Sequence, residues 1–201
     1  MSITREQINT ICNIVDVNSD SFKLEYRDNC GPEILLKERI IHINNTNDWR
    51  EIYQFAHEVL HLSFWDHTGE GNVWEVNWIE EIVCESFSIY CLCSFADAER
   101  INWCGYLFPN FYKIKNRNLV PIKIGSLDQL NQELDGHKSF EILDFIQPYV
   151  LCISDLMLCD IENLYNCLNY MVFVENNKIV IDKNVKITKV LHELQYLIEH
   201  S

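Results

Sequence analysis

The stretch of sequence that decides the fold is FAHEVLHL, residues 55–62, which lies inside a longer apolar run from about Trp49 to Trp65. Apolar residues recur in this run at helical spacing, and the polar residues 44–48 ahead of it can cap a helix. Residues four apart lie on one helical face, so His57 and His61 can direct two imidazole nitrogens at one ion. Two imidazoles without a partner would be costly on so apolar a helix. We therefore predict a metal-binding helix.

Glu58 is the residue that gives this helix its chemistry. It is rotated by about 100° from His57, so it cannot join the two histidines as a ligand, but it can reach a water bound to the metal. Zinc lowers the pKa of such a water toward neutrality, and a neighbouring carboxylate can accept the proton and pass it to a leaving amine. We predict Zn2+ as the cofactor and Glu58 as the catalytic base.

A catalytic zinc site also needs a third protein ligand and an open fourth position. A break at residues 69–72 separates the first helix from a second, predicted from about Val73 to Ala96, which carries several carboxylates. Glu81 is the expected ligand, and Glu80 competes with it because the helix phase is uncertain by one residue. Glu85, one turn further on, is expected to accept the second ring N–H of a zinc-bound histidine.

The residues around these two helices predict an α+β fold. Thr4 and Gln7 form a capping box for a helix near residues 4–15, and three short strands precede the metal-binding helix. We expect a small mixed sheet packed on the two long helices, followed by a mainly helical C-terminal half. The predicted domains are a core at 1–120 and a helical subdomain at 121–201. The predicted strands are 22–26, 33–36, 39–43 and 178–182, and the later helices are 126–134, 139–158, 160–173 and 186–199.

Composition excludes several classes of partner. The chain has 201 residues, a net charge of −14 and 48% hydrophobic residues, so it can form a core but repels phosphate backbones and anionic lipid surfaces. We expect no direct nucleic-acid binding and no membrane association. The first residues lack the apolar run of a signal peptide, which favours a cytoplasmic protein. The nine cysteines are odd in number and include no Cys-x-x-Cys pair, so we expect reduced thiols.

Two motifs together resemble a known family. IIHIN at residues 40–44, a polar gap, Arg50 and then residues 55–62 closely resemble the strand and active-site helix of the ImmA/IrrE metallopeptidases of bacteria and phages. These are gluzincins, with a thermolysin-like metal site. Residues 81–88 resemble the family's Glu-x-x-Ala-Asn-x-Phe-Ala stretch, although Glu85 stands where the family usually has Asn and the family's following proline is missing near Ser94. The resemblance covers roughly residues 33–95.

By this resemblance, Glu81 is the third zinc ligand, and the protein is an intracellular zinc endopeptidase of restricted specificity. Relatives commonly cleave or inactivate a helix-turn-helix repressor, so a regulatory protein of that kind is the implied substrate. The alternatives are a zinc-containing regulatory or binding module that sequesters a partner, a small-molecule hydrolase, or a toxin acting on a partner protein.

Two parts of the site stay open at this stage. In gluzincins, the strand ahead of the active-site helix binds substrate by edge pairing, so Arg39–Asn44 is either such an edge or an interior strand. A donor to the oxyanion should also exist. The candidates for that role are His67, Tyr90, Tyr106 and Tyr112.

Overall fold

The computed structural model describes residues 2–28, 31–68, 77–107, 172–175 and 178–181. The predicted helices at 126–134, 139–158 and 186–199, most of the one at 160–173, and the domain boundary near residue 120 lie outside these ranges. The described residues form an α+β arrangement of helices and a small three-stranded sheet, which confirms the predicted class at that level.

The first helix, α1, spans Arg5–Ile14. Thr4 caps it, because its side chain accepts a hydrogen bond from the backbone N–H of Gln7 while the Gln7 side chain accepts one from the backbone N–H of Thr4. The buried face of the helix carries Ile8, Ile11 and Cys12. The predicted capping box and helix are confirmed.

Three strands form a mixed sheet in the order β1-β3-β2, with bounds Lys23–Arg27, Glu33–Leu35 and Ile40–Asn44 for β1, β2 and β3. Strand β3 is parallel to β1 and antiparallel to β2. Its backbone groups are therefore hydrogen-bonded on both sides. The proposal that Arg39–Asn44 binds substrate by edge pairing is wrong, since no row of its N–H and C=O groups is free, and the interior-strand alternative is correct.

Two long helices pack on each other, and the first of them also packs on this sheet. Helix α2 spans Trp49–Thr68 and α3 spans Asn77–Phe95, close to the predicted bounds. Helix α2 packs against β3 with its apolar face, which includes the fully buried Phe55 and Val59. The small side chains of Cys84 and Ser88, on α3, are also fully buried, and small residues allow two helices to approach closely.

The carboxylate of Glu51 is fully buried at the start of α2. It accepts backbone N–H groups from Ile3 at 3.1 Å, Thr46 at 3.0 Å and Asn47 at 2.7 Å. Because a buried carboxylate needs such donors, these three bonds both satisfy its charge and join the N-terminal segment, the β3–α2 loop and α2.

A row of three polar side chains crosses the sheet, one from each of β1, β3 and β2. His42 is 1% exposed, and its Nδ1 lies 2.9 Å from Glu33 Oε1 while its Nε2 lies 3.1 Å from Glu25 Oε2. The strand register pairs His42 with both glutamates, which explains why the three side chains share one face. The partners of His42 were not predicted, because the strand register cannot be read from local sequence.

The remaining described elements are short. A 3-10 turn at Asp97–Glu99 leads into α4 at Arg100–Leu107, and strands β4, Val172–Glu175, and β5, Lys178–Ile181, form an antiparallel hairpin. Strand β5 was predicted. The helix predicted at 160–173 is wrong at its end, because Val172 and Phe173 belong to β4, where β-branched and aromatic residues favour a strand. No helix within the described ranges is long and apolar enough to cross a membrane.

Candidate metal centre

The structure brings His57 and His61 of α2 together with Glu81 of α3. The two Nε2 atoms lie 3.1 Å apart. Glu81 directs one carboxylate oxygen at each ring, with Oε2 3.3 Å from the Nε2 of His57 and Oε1 3.4 Å from the Nε2 of His61. Two nitrogens and a carboxylate thus converge on one point, and among the described residues these three form the group that could hold a metal ion.

The spacing of these atoms fits zinc. A tetrahedral zinc site with bonds of about 2.0–2.1 Å holds its ligand atoms about 3.3–3.4 Å apart. The two Nε2 atoms lie 3.1 Å apart, and each lies 3.3 or 3.4 Å from a different oxygen of Glu81, so each of these pairs is close to that edge length. The side chain of Glu81 is 40% exposed, so the ligand cluster opens to solvent on one side, as a site with a free coordination position requires.

Two further carboxylates lie against the outer nitrogens of the histidines. The Nδ1 of His61 lies 2.6 Å from Glu80 Oε1. The Nδ1 of His57 is buried without a hydrogen-bond partner among the described residues, and Glu85 Oε1 lies 3.6 Å from it. A metal ligated by Nε2 requires hydrogen on Nδ1, and in that tautomer His61 donates to Glu80 while His57 points its N–H toward Glu85. In that tautomer the Nδ1–H of His57 faces Glu85 but makes no hydrogen bond at 3.6 Å.

This geometry assigns the neighbouring glutamates different positions. Glu81 faces the converging Nε2 atoms, whereas Glu80, the competing ligand in the sequence, contacts the opposite nitrogen of His61. Glu85 lies where it was expected, near the second nitrogen of a histidine, but at 3.6 Å it is beyond hydrogen-bond distance. The contact between Glu80 and His61 was missed, because adjacent helical residues differ in direction by about 100° and both can face a neighbouring helix.

The histidines and carboxylates control one another's protonation. Burial raises the pKa of Glu81, but the hydrogen bond and charge of His57 and the charge of His61 outweigh it and lower that pKa to about 2. Burial lowers the pKa of His61, but Cys84, Glu80 and Glu81 together raise it well above its ordinary value. Burial raises the pKa of Glu85 to about 8. The cluster therefore holds a carboxylate ligand ionised beside a basic imidazole.

Glu58 lies beside the ligands in a different environment. It is 5% exposed, and burial raises its pKa, although His57 and His61 act in the opposite direction. The charges of Glu81 and Glu33 raise this pKa further. A carboxylate whose pKa is moved toward neutrality can both accept and return a proton, which is the chemistry expected of a catalytic base.

The candidate oxyanion donors are only partly described. Tyr90 stacks on Phe87, with ring centroids 6.1 Å apart, and Tyr106 packs edge-on against Trp49 at 5.7 Å. The side chains of His67 and Tyr112 lie outside the described residues. For Tyr90 and Tyr106 the structure gives no contact with the metal ligands among the described residues.

The site was also set against known proteins. Comparisons with protein-family models, with curated proteins and with solved structures find no match to this chain. The resemblance to the ImmA/IrrE metallopeptidases therefore remains a prediction carried by two short motifs.

Proposed function

We propose that this protein is a zinc-dependent endopeptidase of restricted specificity. His57, His61 and Glu81 hold the zinc ion, and Glu58 is the catalytic base. The observation that carries the proposal is the convergence of two imidazole nitrogens 3.1 Å apart with the Glu81 carboxylate, whose oxygens lie 3.3 and 3.4 Å from them.

Each residue of the site has a defined task in peptide hydrolysis. Bound zinc would supply a more acidic water and polarise the substrate carbonyl. Glu58 accepts the proton of the attacking water and delivers it to the leaving amine. Glu80 fixes the tautomer and orientation of His61 through its contact with Nδ1, and Glu85 faces the Nδ1 of His57 from 3.6 Å. The burial of Glu58 supports its role, because a carboxylate in bulk water would be too weak a base at neutral pH.

A polypeptide substrate can bind beside this site by pairing with an edge of the sheet. The edge strands of the three-stranded sheet are β1 and β2, and of these β2 at Glu33–Leu35 packs against α2. Its free edge could pair with an extended substrate strand. The family resemblance adds the class of substrate, a regulatory protein such as a helix-turn-helix repressor.

The test is the substitution Glu58→Gln in the full chain. The variant should bind zinc like the parent, because Glu58 is not a ligand, and cleavage of the partner protein should fall by at least ~100-fold because no base accepts the proton. The exposed Glu38→Gln is the matched control and should retain both properties. Undiminished cleavage by Glu58→Gln would refute the assignment of Glu58 as the catalytic base.

The same variant separates the enzyme from the sequestering module. A module that inactivates its partner by binding does not need Glu58. If Glu58→Gln abolishes cleavage yet still inactivates a repressor in a DNA-binding assay, binding rather than hydrolysis is the function. Loss of both effects together supports the peptidase.

A further inference from the structure

A polar stripe runs along one face of α2 and extends beyond the metal ligands. Arg50, Gln54, His57 and His61 occur at intervals of four, three and four residues, which places their directions within about 60° of one another. All four are partly exposed, whereas the apolar residues between them are buried. The stripe therefore lines a surface that leads from the start of α2 to the candidate metal centre.

The first half of this stripe lines a pocket of about 640 Å³. The pocket lies at the carboxyl ends of the parallel strands β1 and β3 and beside the first turns of α2, a position where ligands commonly bind in parallel arrangements. Its walls include the guanidinium groups of Arg27 and Arg50 and the carboxylate of Asp28, and the two arginines are ion-paired with Glu33 and Asp48. The lining residues that matter are Arg27, Asp28, Asn44, Arg50, Gln54 and Tyr106.

The donors in this pocket are held in place by bonds on their far sides. Asp48 accepts from the Nε of Arg50 at 3.0 Å and from its Nη2 at 2.7 Å, which leaves Nη1 without a partner among the described residues. The Oε1 of Gln54 accepts the backbone N–H of Asn44 at 2.7 Å, so the amide nitrogen of Gln54 is available to a ligand. Arg27 is anchored to Glu33 through Nη1 at 2.8 Å.

The pocket wall also carries a buried acceptor without a hydrogen-bond partner among the described residues. The Oδ1 of Asn44 is buried and makes no hydrogen bond within the part of the chain that the structure describes. A buried acceptor left unsatisfied is costly, and a ligand that brings an N–H group to this position would remove the cost. The pocket therefore offers donors from two arginines and an amide, together with one acceptor.

We propose that this pocket is a specificity subsite for an acidic residue of the polypeptide substrate, an inference that rests on the proposed peptidase function. The substrate carboxylate accepts from Arg50 and Gln54, with Arg27 contributing charge, and the backbone N–H of the same substrate residue donates to Asn44. Gln54 precedes His57 by three residues, about 4.5 Å along the helix axis. An extended chain advances about 3.3 Å per residue, so the acidic residue lies one to three positions from the cleaved bond.

The experiment is the digestion of a proteome-derived peptide library by the zinc-loaded full chain. Cleaved peptides should be enriched in Asp or Glu at one fixed position near the new terminus. A defined peptide from this set is then compared with its Glu→Gln or Asp→Asn counterpart, and the parent protein should prefer the acidic peptide by about 10- to 100-fold in kcat/KM, the range for a hydrogen-bonded charge.

Variants of the pocket test the assignment. Arg50→Gln should reduce the preference for the acidic peptide to within about threefold while the zinc content stays that of the parent, because Arg50 is not a ligand. Arg27→Gln, further from α2, should weaken the preference partially and guards against a folding defect in the first variant. The exposed Arg100→Gln is the matched control and should keep the full preference.

The outcomes are distinguishable. Cleavage without acidic enrichment, or enrichment that persists unchanged in both Arg50→Gln and Arg27→Gln, overturns the subsite and leaves the peptidase standing. Failure of the zinc-loaded chain to cleave any peptide of the library overturns the peptidase and the subsite together.

Discussion

Replacing Glu80 by Gln tests the division of labour among the three glutamates of α3. Glu80 lies 2.6 Å from the Nδ1 of His61, on the side of the ring opposite the converging Nε2 atoms. The substitution keeps the shape of the side chain and removes its charge. The amide holds the His61 ring less firmly than the carboxylate does, but His61 can still bind the ion. Outer carboxylates of this kind typically contribute 10- to 100-fold to metal affinity, which corresponds to about 1.4–2.8 kcal/mol.

The size of this loss must lie between those of two companion variants. Glu81→Gln removes a ligand and should weaken zinc binding by more than Glu80→Gln does. Glu85→Gln changes a contact of 3.6 Å and should weaken it by less. Glu38→Gln, which changes an exposed residue outside both helices of the site, should leave the affinity unchanged.

The assay is a competitive titration of zinc against a chromophoric chelator at fixed pH, with the fold of each variant checked by far-ultraviolet circular dichroism. The reasoning fails if Glu80→Gln binds zinc within twofold of the parent. It fails equally if the loss for Glu80→Gln equals or exceeds that for Glu81→Gln, since Glu80 would then be the ligand.

Three further predictions concern stability. Glu51→Ala leaves three backbone N–H groups without their acceptor and should lower the free energy of unfolding by about 3–5 kcal/mol in urea titrations. Glu51→Gln should lower it by less. A decrease below about 1 kcal/mol for Glu51→Ala would contradict the role of this carboxylate. Asp48→Asn removes the negative charge that faces Arg50 at 2.7 Å and should cost about 0.5–1 kcal/mol at pH 7. Burial raises the pKa of Asp48, but hydrogen bonds from Arg50 lower it below its ordinary 3.8 overall. The stabilisation is therefore present above pH 3.8 and should vanish as the pH falls through the lower folded-state pKa; a difference that grew on acidification would oppose this sign. Zinc at about 100 times its Kd should add about 2.7 kcal/mol to the stability of the parent, and an equal gain in His61→Ala would place the ion elsewhere.

Local signals in the sequence were sufficient for much of the fold. The capping box of Thr4 and Gln7 located α1, and alternation located the strands of the three-stranded sheet to within one or two residues. Strand β4 was missed, because the short apolar segment around Val172 fits the end of a helix as well as a strand. The central position of β3 was not predictable either, since its parallel pairing with β1 depends on contacts distant in sequence.

The candidate site divides in the same way. The spacing of His57 and His61 follows from one helix, so their convergence could be predicted from the sequence. The roles of Glu80 and Glu81 could not be separated, because they depend on the rotation of α3 about its own axis relative to α2. The presence of two arginines in one pocket could not be predicted either, since Arg27 and Arg50 come from different elements and line the same pocket only in the folded chain.

The buried carboxylate of Glu51 has a consequence for the motions of the pocket. One of its three donors is the N–H of Ile3, and another is the N–H of Thr46, a residue of the pocket wall. An opening that releases either amide must break a bond to the same anion and leave its charge less well solvated. The amides of Ile3, Thr46 and Asn47 should therefore exchange hydrogen for deuterium as one cooperative unit. A change in the N-terminal segment should thus alter the exchange of the pocket wall, about 45 residues away in the sequence.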